Sequence, residues 1–475
     1  MRRSFPNARP DGSTQVLGLL ALAVLLASLG VSIATVALPS LVRSFLAPVS
    51  QVQWVILAYL LSITVVIVLG SRLGDLLGHS RVFLAGIGIF TVASALCAAA
   101  PTLSMLIAAR AGQGIGGAIL MAMPVAIVRD AVAKERMGAA MGLMGTMSAI
   151  GTALGPSVGG LVIAWAGWRW SFLLLAMPGA VLFVLTARSL PATPPSGRPT
   201  WRSLDVPGVV VLAFALAAYS LSATGALVAA GPARALMVLA AGAGLAAFIV
   251  IERRQPAPLV RLALLRHRQI ALSLSANLLV STVMMSTLVV GPFYLAFALG
   301  LDEGVVGLVM AVGPATAALS GVPAGRLTDK LGARRILRIG LAQTFAGLLS
   351  FAVLPGLAGV AGYVLSLMLL TPGFQLFLAA NNTGVMMAAP DDQRGMVSGL
   401  LGLSRNLGFM TGASAMGAVF AMAVGTADVA LASATAVGSA FTMTFLGAAG
   451  LAAAAMILAW IGGLVSEAGM ARGEA

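Results

Sequence analysis

The chain has 475 residues, of which 60% are hydrophobic and 9% charged, and its mean hydropathy is +1.03. Soluble globular domains carry about 25% charged residues, so this composition excludes a soluble domain and indicates a protein built for lipid. The net charge of +14 does not indicate a nucleic-acid-binding protein, because the basic residues are spread over many short loops.

Long uncharged stretches predict an all-α polytopic membrane protein, since about 20 apolar residues cross a bilayer as a helix. Six predicted spans precede a polar, Pro-rich stretch at 191–199, two follow it, and six more complete a total of fourteen. The run from Ile339 to Pro390 counts as two spans because Pro355-Gly356 offers a turn. The predicted spans are 16–41, 52–71, 82–100, 103–128, 137–164, 170–187, 206–228, 235–251, 269–298, 304–324, 337–354, 360–385, 395–422 and 436–464.

Positive charge falls mostly on one side of this map. If the N-terminus is cytoplasmic, 23 of the 28 lysines and arginines lie in cytoplasmic segments, three on the opposite side and two within spans. Cytoplasmic loops of membrane proteins are enriched in Lys and Arg, so the map predicts that both termini face the cytoplasm. We expect a multi-pass protein of the plasma (cytoplasmic) membrane.

Catalytic and metal-binding residue types are scarce in the sequence. Cys97 is the single cysteine, and His79 and His267 lie in charged loops. All fourteen acidic residues fall outside the predicted spans, so the interior lacks groups for acid–base or metal chemistry. No G-x4-G-K-[ST] motif is present, which disfavours an ATP-driven pump. We expect no enzyme activity, no cofactor and no metal.

One segment of the sequence occurs twice. Residues 71–81 match residues 325–335 at six of eleven positions, at an offset of 254. Each copy is predicted to be a loop between the second and third spans of a six-span block, as in duplicated transporter folds. We therefore predict an N-terminal six-helix bundle at 1–190, a linker with two inserted transmembrane helices at 191–265, and a C-terminal six-helix bundle at 266–475.

Several motifs agree with one family of transporters. The stretches Leu106–Ala118 and Gly151–Gly160, with the repeated segment, resemble signatures of the major facilitator superfamily. Trp168–Phe172, Leu403–Gly408 and the two inserted spans resemble its fourteen-span drug:proton antiporter branch. The resemblance covers nearly the whole chain. It implies a bacterial transporter that works by alternating access with protons as the coupling ion, and we expect a monomer.

The two copies of the repeated segment are candidates for a latch between the halves of the molecule. Their glycines permit tight turns, and Asp75 can pair with an arginine or face a helix N-terminus, where an anion is favoured by about 0.3 to 1 kcal/mol. The resemblance implies a gating role for Asp75, and a solvated loop anchor is the alternative. The latch candidates are Asp75, Gly78, Arg81, Asp329, Gly332 and Arg335.

Four polar residues within the spans are candidates for a proton relay or a cavity: Arg110, Gln113, Arg405 and Asn406. An arginine within a span costs about 2.5 kcal/mol or more unless it faces a cavity or a partner. The resemblance implies proton relay or gating for Arg110, and snorkelling to the helix end is the alternative. Snorkelling explains Arg405 less well, because that residue lies about ten positions into its span.

The fifth predicted span carries glycines at a spacing of four residues. Residues four apart share one helix face, small residues allow close helix packing, and a proline permits a kink. We predict a hinge or close-packing surface, with ordinary helix packing as the alternative. The residues are Gly151, Gly155, Pro156, Gly159 and Gly160.

Seven further polar residues are candidates for lining a substrate cavity, although hydrogen bonding between helices would also explain each one. They are Ser32, Thr35, Tyr59, Asn277, Tyr294, Gln375 and Asn381. Gly30 stands where the antiporter branch usually has an acid in its first helix. The predicted spans then hold two arginines and no carboxylate, so we expect neutral or anionic substrates to be handled better than permanent cations.

These observations predict a secondary transporter that exports hydrophobic drugs or metabolites, with protons as the coupling ion. A permease for an organic anion or a neutral metabolite is the alternative that the arginine-only interior favours. A non-transporting membrane sensor or a membrane enzyme is the alternative of another class.

Overall fold

The computed structural model of the chain describes residues 10–131, 137–190, 205–224, 232–255, 262–389, 394–426 and 429–471. Within these ranges the regular structure is helical, as the composition predicts, with π-helical segments at Tyr294–Ala298 and Gly412–Met416. The polar stretch predicted at 191–199 lies outside the described residues. The α-helices are α1 (Pro10–Phe45), α2 (Val49–Val52), α3 (Trp54–Leu77), α4 (His79–Ala99), α5 (Leu103–Ala131), α6 (Met137–Ala166), α7 (Trp168–Ser189), α8 (Val206–Thr224), α9 (Pro232–Arg254), α10 (Arg268–Phe293), α11 (Glu303–Leu331), α12 (Ala333–Ala388), α13 (Arg394–Thr411), α14 (Gly417–Val424) and α15 (Ala434–Ala471).

Thirteen helical segments among the described residues are long and apolar enough to cross a membrane. One of them, α12, has 56 residues and contains a break at Ala358 and Gly359, so it is a hairpin of two crossings. Counting both arms gives the fourteen predicted spans. The predicted turn at Pro355-Gly356 was wrong by about three residues, because the chain reverses at Gly359, whose φ of 53° favours glycine.

The repeated segments, predicted to be loops, are mostly helical. Helix α3 continues to Leu77 and α11 to Leu331, and a single glycine then separates each from the next helix. Gly78 (φ 93°) and Gly332 (φ 83°) have the same left-handed φ, which favours glycine. Helices therefore extend beyond the predicted spans, because each further residue adds a backbone hydrogen bond.

Two six-helix bundles form the body of the molecule. In the first half, α1 to α7, the largest contacts join α1 to α6, α4 to α5, and α3 to α5. In the second half, α10 to α15, they join α11 to α12 and α10 to both α13 and α15. Helices α6 and α11 form the largest contact between the halves.

Among the described residues, the largest apolar core that the two halves share lies at one end of the molecule. We call the end that carries Gly78 and Gly332 the motif end. Far from it, one apolar core contains residues of both halves, from Leu38 in α1 to Phe441 in α15. Toward the motif end the core of the first half is separate from the two smaller cores of the second half. Within the described ranges, the halves therefore share a core at the opposite end and have separate cores toward the motif end.

The inserted hairpin, α8 and α9, lies beside the seam between the halves. Helix α8 contacts α3 of the first half and the segment Gly412–Val424 of the second half. The indole Nε1 of Trp54 donates a hydrogen bond to Thr224 Oγ1 at 3.2 Å. Helix α9 packs mainly on α8 and exposes most of its surface.

Candidate functional site

Arg110 is fully buried in the first half, about 10 Å along α5 from the start of that helix. Its Nε donates to Val55 O at 2.8 Å and its Nη1 donates to Gly30 O at 3.0 Å and to Gln113 Oε1. Gln113 Nε2 in turn donates to Ser94 Oγ at 2.7 Å. Carbonyl oxygens and an amide therefore surround this cation, and helix packing rather than a cavity encloses it.

Tyr59 covers the Arg110 guanidinium, with the Arg110 Cζ 4.1 Å from the ring centroid. The Tyr59 hydroxyl donates to Ala27 O at 2.9 Å. A Cβ on Gly30 would lie 3.2 Å from that hydroxyl and 3.3 Å from Phe90, so the position that the antiporter branch gives to an acid is already filled. Tyr59, Phe90 and Arg110 thus fill the space between these helices.

The acidic side chains of the described spans lie at helix ends, and the helices reach further than the predicted spans. Glu303 begins α11, where it accepts a hydrogen bond from Arg43 Nη1 at 2.8 Å and one from Ser40 Oγ at 3.1 Å. Glu252 lies in the last turn of α9 and is buried. The prediction that no acid lies within a span was therefore wrong at the helix ends, because helices continue past the uncharged stretches.

The predicted glycine surface of α6 packs against α1. A Cβ on Gly151 would lie 3.0 Å from Ser28 Cβ, and one on Gly155 would lie 2.6 Å from Ser32 Cβ. Ser32 is fully buried, its hydroxyl donates to Gly151 O at 3.3 Å, and Thr35 Oγ1 donates to Ser32 O at 2.7 Å. Two predicted cavity residues thus lie in this helix contact.

The far part of the same surface makes the contact between the halves. A Cβ on Gly160 would lie 2.6 Å from the Cα of Gly307 in α11, and one on Gly159 would lie 2.7 Å from Ile33 Cγ1 in α1. Pro156 lies within α6, and its carbonyl oxygen approaches Gly307. Glycines of both halves therefore allow the two backbones to approach closely.

A matching glycine surface in the second half was not predicted. A Cβ on Gly408 would lie 2.5 Å from Leu278 O and 2.6 Å from Ser281 Cβ, and one on Gly412 would lie 2.6 Å from Met285 Cβ. Gly151 has the same relation to Leu25 O and Ser28 in the first half. The four-residue spacing of Gly408 and Gly412, placed 257 residues after Gly151 and Gly155, was the sequence signal for this surface.

A cavity of about 220 Å³ lies at the centre of the second half. Six of its fourteen lining residues are methionine, phenylalanine or leucine, and Thr152 of the first half completes the wall. Gln375 is the predicted cavity residue that lines it. Such a predominantly apolar space with a few polar groups is typical of small-molecule sites. The wall also includes Met284, Met310, Gly313, Leu367, Phe374 and Phe409.

This cavity occupies the place that Tyr59 and Arg110 fill in the first half. Tyr59 and Gly313 correspond at the 254-residue offset of the repeat. A Cβ on Gly116 would lie 2.5 Å from Phe90 N, and a Cβ on Gly373 would lie 2.7 Å from Thr344 N. These two contacts are equivalent, so α5 corresponds to the second arm of α12 at an offset of 257 residues. Arg110 then corresponds to Leu367, and a Cβ on Gly313 would lie 3.2 Å from Leu367 Cδ2.

A smaller, polar cavity of about 180 Å³ surrounds Arg405. Asn277 of α10 and Asn382 of α12 line it with the exposed Arg405 side chain. Asn277 Nδ2 donates to Leu401 O at 3.0 Å, and Ser404 Oγ donates to Leu274 O at 2.6 Å, so α10 and α13 are tied together beside the arginine. The predicted Asn406 is half-buried next to it.

The remaining predicted cavity residues lie at separate places. Asn381 is buried, neither of its amide atoms has a hydrogen-bond partner, and it lines a cavity of about 340 Å³ near the motif end. Tyr294 lies far from the motif end, with its ring centroid 4.1 Å from that of Phe441. The structure does not bring these two residues together with Gln375, and their roles stay predictions.

The latch candidates lie at the motif end, as the repeat predicts. Arg81, Asp329 and Arg335 are exposed, and Asp75 lies in the last turn of α3. The side chain of Asp75 is outside the described part of the structure. Among the latch candidates with described side chains, Arg81, Asp329 and Arg335 form no ion pair with one another.

Two helical bundles with duplicated segments are an architecture of membrane transporters. The chain belongs to the Major Facilitator Superfamily, whose family model matches residues 20–413 and, in a second match, residues 272–473. This confirms the resemblance drawn from the motifs. Family members are transporters rather than enzymes, which agrees with the prediction of no enzyme activity.

Three similar proteins illustrate the family. The multidrug resistance protein Stp of Mycobacterium tuberculosis is 31% identical over 86% of this chain and 76% of its own length. The riboflavin transporter RibZ of Clostridioides difficile is 28% identical over 86% of this chain and 88% of its own length. A bacterial homologue of the human lysosomal transporter Spinster, in an inward-facing and unoccupied conformation, superposes with a TM-score of 0.72 and 16% identity over 96% of this chain and 98% of that one.

Proposed function

We propose that the chain exports hydrophobic drugs or metabolites by alternating access, and that the substrate occupies the cavity at the centre of the second half. The observation that carries this proposal is the wall of that cavity, where Met284, Met310, Phe374 and Phe409 surround a space of about 220 Å³. Methionine and aromatic side chains adapt to apolar molecules of different shape. Gln375 supplies a polar group that orients the substrate.

Alternating access is supported by the uneven contact between the halves. At the end opposite the motif end the halves share one core, the glycine contact of α6 with α11 and the ion pair of Arg43 with Glu303. A partly exposed ion pair of this kind contributes about 0 to 1 kcal/mol, so it opens at little cost. Glycine surfaces on α6 and α13 allow these helices to pack closely on α1 and α10, so each half can move as one unit.

The direction of access follows from the distribution of charge. With 23 of 28 basic residues on the side of the motif end, we propose that this end and both termini face the cytoplasm of a bacterial cell. On this proposal the separate cores of the two halves lie on the cytoplasmic side. Substrate would enter the cavity from the cytoplasm and leave on the other side, with the chain acting as a monomer.

The names of the relatives support both drugs and metabolites as substrates in this proposal. Stp is named as a multidrug resistance protein and RibZ as a riboflavin transporter, so apolar and aromatic small molecules are the class to test first. Proton coupling is proposed from the resemblance to the antiporters. Acids in the described spans lie at helix ends, such as Glu252 and Glu303, so a coupling proton would bind there rather than at mid-depth.

A permease for an organic anion or a neutral metabolite is the second candidate. The exposed Arg405 at the polar cavity favours it, because a cationic wall repels cations and attracts anions. The two candidates differ in the direction of net transport. Uptake of a labelled organic acid into whole cells, without export of apolar dyes, would favour the permease.

Filling the central cavity tests the proposal. Gly313→Leu places an isobutyl group against Leu367 inside the cavity, whereas Gly321→Leu on the same helix has no atom within 4 Å of its Cβ. We expect Gly313→Leu to abolish counterflow of riboflavin, or of an apolar dye found by screening in an efflux-deficient host, in proteoliposomes. Gly321→Leu should retain it.

The same proteoliposomes test the coupling ion. An imposed pH gradient should drive accumulation of the substrate, and collapsing the gradient should stop it. Counterflow at the wild-type rate in Gly313→Leu would contradict the placement of the substrate. Accumulation that ignores the pH gradient would contradict proton coupling.

A further inference from the structure

We propose that the polar cavity around Arg405 binds the carboxylate of an amphipathic organic acid whose apolar body occupies the central cavity of the second half. This inference rests on the proposed function, since it assumes that the central cavity holds the substrate. It narrows the substrate class from hydrophobic molecules in general to organic acids with an aromatic or aliphatic body.

The Arg405 guanidinium has a different environment from that of Arg110. Arg110 is fully buried and donates to two backbone carbonyls and Gln113. Arg405 is exposed and lines a cavity, and within the described ranges it makes no hydrogen bond, ion pair or ring contact. Arg110 therefore has a structural role between helices, and Arg405 is available to a ligand.

The position of Arg405 makes an anion its natural partner. It lies eleven residues after the start of α13, about 16 Å along the helix axis, so it is well inside the molecule. Asn277, nine residues into α10, lies at a similar depth of about 14 Å. Guanidinium and carboxylate groups form two parallel hydrogen bonds, and such charge-assisted pairs are stronger than hydrogen bonds between neutral groups.

The two cavities lie on the same faces of the same two helices. In the second arm of α12, Gln375 lines the central cavity, and Leu378 and Asn382, three and seven residues further on, line the polar one. In α13, Phe409 lines the central cavity and Arg405 lies one turn before it. A turn rises about 5.4 Å, so an acid separated from a ring system by one or two carbon atoms reaches both cavities.

The wall of the polar cavity is held in place before a ligand arrives. Asn277 Nδ2 donates to Leu401 O at 3.0 Å and lies 3.4 Å from Ser404 Oγ, and Ser404 donates to Leu274 O at 2.6 Å. These bonds tie α10 to α13 beside Arg405. Asn382 is half-buried on the third helix, where its amide can donate to a bound carboxylate.

A matched pair of probes tests the inference: 1-naphthylacetate and its neutral isostere 1-naphthylacetamide, bound to the purified full-length protein near neutral pH. We expect the acid to bind about tenfold tighter than the amide, as a charge-assisted hydrogen bond provides. Arg405→Gln should remove that preference, because it weakens binding of the acid more than binding of the amide. Arg405→Lys should keep part of the preference for the acid, because lysine retains the positive charge but cannot form the two parallel hydrogen bonds of a guanidinium. Arg253→Gln, which removes an exposed charge from the end of α9, should behave as wild type.

The outcomes separate this inference from the proposed function. Equal affinities for the two probes in wild type, or a preference for the acid that survives in Arg405→Gln, would overturn the carboxylate site. If the amide binds and Gly313→Leu abolishes that binding, substrate binding in the central cavity is supported even when carboxylate binding at Arg405 is contradicted. Absence of binding for both probes would count against both proposals.

Discussion

The two halves of the molecule share a backbone plan and differ at their centres. In the first half the space between α1, α3 and α5 is filled by Tyr59 and Arg110, with the Cζ of the arginine 4.1 Å from the ring centroid. In the second half the corresponding residues are Gly313 and Leu367, and a cavity of about 220 Å³ remains. A duplicated fold can thus use one copy as a packed scaffold and the other as a binding site.

The difference extends to the residues around these pairs. Gln113 and Ser94 form a buried hydrogen bond in the first half, and their counterparts at the same offsets are Leu370 and Leu348, both fully buried. Directional hydrogen bonds link Arg110, Gln113 and Ser94, and they favour one arrangement of the first half. Apolar contacts in the second half are less directional, which suits a wall that must adapt to a ligand.

The largest expected effect comes from making the first half resemble the second. Arg110→Leu leaves the buried Gln113 Oε1 without its donor, and a buried unsatisfied acceptor costs about 1 to 3 kcal/mol. It also removes the charged hydrogen bonds to Gly30 O and Val55 O, which keep their helical N–H donors, and each such bond contributes about 1.5 to 3 kcal/mol. We expect a loss of stability of about 3 kcal/mol or more, measured by thermal unfolding of the purified protein. Arg405→Leu is the matched control for stability, and it should unfold near the wild-type temperature. Equal losses in the two variants would contradict the distinction between the arginines.

A smaller effect is expected at the glycine surfaces, where the halves should respond alike. Gly151→Ala and Gly408→Ala each drive a methyl group into a backbone carbonyl, that of Leu25 or Leu278, and overpacking of this kind costs about 1 to 3 kcal/mol. Gly145→Ala on α6 meets no atom within 4 Å and is the control. Thermal unfolding and transport rates of the three variants check this. A response in only one half would show that the two surfaces are not equivalent.

The smallest effect is expected at the motif end. We propose that Asp75→Asn weakens the latch and lowers the transport rate at normal abundance, because it removes the negative charge that an arginine or the N-terminus of a facing helix would bind, an interaction of about 0.3 to 1 kcal/mol. Asp329→Asn, the second-half counterpart, changes an exposed side chain and should have less effect. Transport rates in proteoliposomes, normalised to protein, compare the two. Wild-type rates for Asp75→Asn would reduce the residue to a loop anchor.

The sequence by itself determined the class of fold. Long apolar stretches predict helices because a helix satisfies its own backbone hydrogen bonds in lipid, and the repeat of residues 71–81 at 325–335 predicts two similar halves. The left-handed turns at Gly78 and Gly332 were also readable, since glycine followed by a basic segment ends each copy. These features depend on neighbours in the chain.

Only the tertiary structure decided which polar side chains face a cavity. Ser32, Thr35 and Tyr59 were as plausible as Gln375 from sequence, yet they are buried between helices, because the rotation of each helix against its neighbours sets the direction of a side chain. The cavity exists because Gly313 and Leu367 of the second half stand where the first half has Tyr59 and Arg110, and the two positions lie on different helices. Such a space exists only where separate segments meet, so a linear pattern does not reveal it.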